Sequence, residues 1–190
     1  MAILPILRMG HPTLRRLAEP LELPAKPEIR RLAADMIETM VAAPGVGLAA
    51  PQIGQSVRMI VYQLPAARLE AQPDGDEPTP PMPPTVLINP VLRPLSEAQH
   101  YRAEGCLSIP GIRGEVPRYR HLSYHGYDLD GQPISGEAHD FHARVLQHEV
   151  DHLDGVLYLD RMVDMMSIGF LDAMIEPAAD ADPIETVEKD

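Results

Sequence analysis

Five consecutive residues, His148-Glu149-Val150-Asp151-His152, hold the densest set of reactive groups in the chain. On an α-helix the two histidines lie one turn apart on the same face, so both imidazoles reach a single metal ion. Glu149 sits about 100° round the helix from His148 and is aimed at a water beside the metal. A divalent cation lowers the pKa of a bound water to ~7, and a neighbouring carboxylate takes the proton. Metal-assisted hydrolysis is the chemistry that this HExxH pattern suits. Phe141 and Val145 continue the face of His148, so these polar groups interrupt an apolar stripe. Uncompensated, they would be costly there, which favours function over packing.

A third ligand sets the enzyme class. A metzincin would place a histidine at position 158, which is Tyr158 here. A thermolysin-like site takes a glutamate downstream, and the first one after the motif is Glu176, just before Pro177. The other candidate is Cys106, in Glu104-Gly105-Cys106-Leu107-Ser108, whose thiolate is a good soft ligand. The residues alone leave both open. As the single cysteine, Cys106 also excludes an intrachain disulfide and points to a reducing compartment.

A glycine-rich stretch, GVGLAAPQIG (45–54), mimics a dinucleotide fingerprint. It follows a predicted helix instead of a strand, and Pro51 stands where the fingerprint's helix would run, so nucleotide binding is rejected. What remains is a loop of little side-chain bulk that lets a ligand backbone approach, ending in the polar Gln52.

The elements that must position these residues follow from periodicity. Ile29, Leu32, Ala33, Met36, Ile37 and Met40 predict an amphipathic helix over Glu28–Val41, with Pro27 at its first position and Pro44-Gly45 as its stop. Ser56–Leu64, TVLINP and RHLSYHGY read as strands, and DLDGQP carries an Asp-Gly turn. A second helix is expected over 140–153, with Gly155 just past its end. A third is expected over 165–175, with Asp164 as N-cap. Residues 65–84, seven of them proline, read as a solvated inserted connection. Two or three helices flanking antiparallel strands make an α+β domain. It is expected to span 1–176, followed by an acidic, disordered tail over 177–190.

At 190 residues the chain is long enough for one closed core. A net charge of −12 argues against a general grip on nucleic acid or on an anionic membrane. No stretch suits a spanning helix, and the first residues lack the pattern of a signal peptide. A cytoplasmic protein, or one of an organelle interior, is the expectation.

Three segments together resemble the motifs of peptide deformylases: GVGLAAPQ (45–52), EGCLS (104–108) and QHEVDHLDG (147–155), in that family's order. LRMGHPTLRR near the start, VPR at 116–118 and LDRM after the helix agree with it. The resemblance implies antiparallel strands packed around a central helix carrying HExxH, with an N-terminal amphipathic helix and a short C-terminal one. It implies that Cys106, His148 and His152 bind one divalent metal, natively Fe2+, with Zn2+, Ni2+ or Co2+ as substitutes. Glu149 would act as general base and proton carrier. Gln52 and the Leu107 backbone N–H would hold the oxyanion. Val46, Gly47 and Gly105 would pair with the substrate backbone, and Arg113 would lie near the substrate. The implied reaction removes the formyl group from N-formylmethionyl peptides and nascent chains. A transient ribosome contact is expected, without the basic C-terminal helix that some members use for it. Two other readings are an HExxH peptidase with Glu176 as third ligand and a non-catalytic metal- or peptide-binding module.

Overall fold

The computed structural model describes residues 2–70 and 79–174. In chain order it contains α1 (Pro27–Ala42), β1 (Gly47–Ala49), β2 (Met59–Leu64), α2 (Ala66–Glu70), β3 (Met82–Pro94), β4 (Gln99–Cys106), β5 (Ile109–Tyr119), β6 (His121–Tyr127), β7 (Pro133–His139), α3 (Asp140–Leu153), β8 (Gly169–Phe170) and α4 (Leu171–Met174). Two antiparallel sheets result, one in the order β1-β2-β3-β6-β7 and one in the order β4-β5-β8.

Strand β2 shows why the larger sheet is covered on both faces. Its residues are apolar almost without a break, as a strand between two layers requires. Met59 and Val61 join a core with Met36 and Met40 of α1. Ile60, Tyr62 and Leu64 turn the other way and join Ala143, Val145, Leu146 and Leu153 of α3. The apolar stripe of α1 is thus spent on one face, and α3 is buried against the other. A third cluster, Leu14, Ile109, Val116, Leu157 and Tyr158, lines the smaller sheet.

The end of α3 is built tightly. Gly155 adopts φ +72°, and the amides of Gly155 and Val156 bond the carbonyls of His152 and Asp151. That is the left-handed helix stop, which closes the turn carrying the second histidine.

Three expectations need correction. No single helix covers 165–175: a 3₁₀ turn at Met165–Ser167 gives way to β8, because Gly169 and Phe170 pair with Arg113 and Ile112 of β5. Asp164 still caps the turn, accepting from the Met166 amide. The proline-rich connection is shorter than its composition suggested, since α2 occupies its start and Pro83 and Pro84 lie within β3. The glycine-rich stretch is not all loop, for it contains β1 and a 3₁₀ turn at Ala50–Ile53. Glu176 and the acidic tail lie outside the described residues.

A side chain at Gly155 would meet both the strain of its positive φ and the backbone of Arg15, 2.8 Å from the added Cβ. Gly155→Ala is expected to destabilise by about 1–2 kcal/mol or more. A lower urea midpoint at unchanged slope checks this, and an unshifted midpoint contradicts it.

Candidate metal centre and cleft

Helix α3 presents His148 and His152 from successive turns, and β4 delivers Cys106 at its end. The β4–β5 register slips between Gly105 and Cys106, a local irregularity of the kind that re-aims a side chain beside a site. Cys106 Sγ lies 3.3 Å from His152 Nε2, although the two residues are 46 apart in sequence. One ligand atom from each of Cys106, His148 and His152 falls within 4.8 Å of the others. One sulfur and two imidazole nitrogens suit a first-row divalent ion.

Glu104 orients this set. Its carboxylate accepts from Arg118 Nε at 2.9 Å and Nη2 at 3.0 Å, and from Arg144 Nη1 at 2.6 Å. It also accepts from His148 Nδ1 at 2.9 Å, which leaves Nε2 of that ring for a cation. Burial alone would raise the Glu104 pKa, but the hydrogen bonds from His148 and Arg118 outweigh it and hold the carboxyl well below its usual range. Burial likewise opposes charge on His148, yet its bonds to Cys106 and Glu104 lift its pKa well above the ordinary value. His152, buried and facing His148, is pushed well below. Arg118 continues to Asp151 at 2.5 Å, and Arg161 closes on the same carboxylate at 2.8 Å.

Glu149 is 4% exposed, and its Oε2 has no hydrogen-bond partner among the described residues. Burial raises its pKa to about 7. Its carboxylate packs on Gly47, where an added Cβ would sit 2.1 Å from Oε1. Gly47 is therefore glycine because the Glu149 carboxylate fills the place of a side chain. Gln52 is equally enclosed: its Oε1 accepts from the Ala49 amide at 2.8 Å. That fixes Nε2 toward Ser108 Oγ at 3.1 Å and Cys106 Sγ at 3.5 Å.

These groups open on a cleft of about 680 Å³, lined by Val46, Gly47, Gln52, Cys106, Leu107 and Glu149 among others. Gly105 and Arg113 lie on its β4–β5 side, Arg113 within 3.6 Å of the Gly105 Cβ direction, and the pair is in register across the strands. β1 and β4 are each the outermost strand of their sheet, and both border the cleft. Every site residue implied by the resemblance except His152 lines this cleft; His152 lies beneath, 1% exposed. Sequence reasoning missed Glu104 as the orienting group, together with Arg118, Arg144, Asp151 and Arg161. Glu104 and Arg118 do stand inside two of the recognised segments, EGCLS and VPR.

Residues 3–167 match the family model described as Polypeptide deformylase. The chain is 49% identical to "Peptide deformylase 1" of Bordetella pertussis, over 92% of this chain and 98% of that one. It is 46% identical to "Peptide deformylase 2" of Pseudomonas syringae pv. tomato, over 92% and 97%. Among solved structures it resembles a Met-Ala-Ser-bound class I type b peptide deformylase from Acinetobacter baumannii, with TM-score 0.76 and 34% identity, covering 85% of this chain and 99% of that one. It also resembles a peptide deformylase from Synechococcus elongatus in complex with actinonin, with TM-score 0.74 and 34% identity, covering 88% and 82%.

Removing the orienting charge should loosen the donor set. Glu104→Gln is expected to weaken metal binding about 10–100-fold, because a neutral amide supports His148 less well. Competition with a chromophoric chelator measures this; unchanged affinity would show that Glu104 serves packing only.

Proposed function

The chain belongs to the polypeptide deformylase family, and on that footing we propose how its own residues remove the N-formyl group from newly made polypeptides. It is a metal-dependent amide hydrolase that gives formate and a free N-terminal amine. The observation that carries the reading is the meeting of Cys106, His148 and His152 beside a buried Glu149 oxygen that has no hydrogen-bond partner among the described residues.

Cys106, His148 and His152 hold one divalent cation, which when bound polarises the formyl carbonyl and lowers the pKa of a water to ~7. Glu149 takes the proton from the attacking water and passes it to the leaving amine. A carboxylate raised to about 7 by burial is matched to both transfers near neutral pH. Its contact with Gly47 holds it in place. Gln52 Nε2 and the Leu107 amide donate to the carbonyl oxygen as it gains charge; the Ala49 amide pre-sets the direction of the Gln52 donor.

The substrate enters as an extra strand. Val46 and Gly47 on one side and Gly105 on the other offer backbone groups from sheet edges, so binding does not depend on the sequence that follows the methionine. Arg113, over Gly105, contacts the peptide beyond the first residue. The apolar side chains at the cleft, including Leu107, Ile109 and Val145, receive the methionine side chain. We read 1–176 as one metallohydrolase domain, working in the cytoplasm with Fe2+ as native metal. Its contact with the ribosome is transient, mediated by N-terminal arginines such as Arg8 and Arg31. No helix among the described residues is long and apolar enough to cross a membrane.

Formate release from formyl-Met-Ala-Ser by the purified chain tests the reaction. Glu149→Ala is expected to keep its metal yet lose about 10²–10⁴ in kcat. Activity within a few fold of the unaltered chain would remove Glu149 from its role. Anaerobic purification should yield iron at one equivalent, with activity that decays in air and returns in part on Ni2+ or Co2+ exchange. Stable activity of iron-loaded enzyme in air would argue against a ferrous centre.

A further inference from the structure

Among the described residues, a second set of ligand-type side chains stands apart from the cleft: His121, Glu137 and His139. His121 of β6 is directly opposite His139 of β7. Glu137, two residues before His139, projects from the same face of the sheet. The two imidazoles stack with centroids 4.1 Å apart and planes at 16°. His121 Nε2 is 2.8 Å from Glu137 Oε2. One ligand atom from each residue lies within 4.8 Å of the other two.

We propose that His121, Glu137 and His139 form a second divalent-cation site, suited to a transition metal such as Zn2+ or Ni2+. Two imidazoles and one carboxylate are the donors such ions favour, whereas Ca2+ and Mg2+ require more oxygen ligands. Bonds of ~2.0–2.2 Å need the donor atoms drawn somewhat closer than they stand. Side-chain rotation supplies this, because the β6–β7 ladder already holds the backbones in register. A divalent ion would engage both rings and the carboxylate at once, whereas the 2.8 Å contact between His121 Nε2 and Glu137 Oε2 joins only two of the three side chains. Glu137 is 61% exposed, so the site is open to solvent and keeps a coordination position for water. The bound ion would clip the edge strand β7 to β6 where the chain enters α3. It shares no ligand with the catalytic set, so it stands or falls separately from the function proposed above.

The test is metal stoichiometry of the full chain after equilibrium dialysis against buffered Ni2+, read by elemental analysis. The unaltered chain is expected to hold two ions. His121→Ala and His139→Ala are each expected to hold one and to release formate from formyl-Met-Ala-Ser at the unaltered rate. Cys106→Ser should retain the other ion and lose it when combined with His121→Ala. Should His121→Ala fail to fold, His121→Asn replaces it; one ion per chain supports the site and two overturn it. Saturation of the unaltered chain at one ion, or two ions remaining in both single histidine variants, also overturns the proposal.

Discussion

The Glu104 carboxylate is the point on which the rest of the site hangs. It is buried and accepts from Arg118 on β5 and from Arg144 and His148 on α3, so one side chain of β4 ties three elements together. A buried carboxylate is tolerable only when its lone pairs are satisfied, and a buried guanidinium only when its charge is met. Each therefore requires the other. Asp151 and Arg161 extend the cluster to two carboxylates and three guanidiniums, leaving one positive charge in excess.

This arrangement explains which parts were legible in the sequence. HExxH announces itself because both histidines and the glutamate are set by helical period alone. The α1 stripe is legible for the same reason, and Met36 and Met40 sit where it places them. The roles of Glu104 and Arg118 are not, since they arise only when β4, β5 and α3 meet, and local spacing carries no trace of that. The same is true of Gly47. Its lack of a side chain reads as loop chemistry until the Glu149 carboxylate is found packed against it. The helix expected over 165–175 fails for a related reason. Asp164 does cap a turn there, but pairing of Gly169 and Phe170 with β5 prevails over local preference.

The cleft sits between the outer edges of two separate sheets. An exposed strand edge is ordinarily a liability, because it invites pairing with any other chain. Here β1 is only three residues long, and β4 ends in the slipped register at Cys106, so neither offers a long, flat template. The proposed substrate, a short stretch of extended peptide, needs no more edge than this, whereas an open-ended stack of strands does.

The wide sequence separation of Cys106 from His148 and His152, the proposed metal ligands, has a consequence for how metal binding couples to folding. In an unfolded chain only the two histidines of the helix are near one another, while Cys106 lies 46 residues from His152. With Cys106, His148 and His152 as the proposed ligands, the complete donor set exists only after β4 has docked on α3, so an ion would recognise the finished fold. By mass action it then favours that fold over the unfolded chain, to the extent that free metal exceeds the dissociation constant. On that proposed ligand set, metal supply would set how much folded enzyme persists, as well as how much is active.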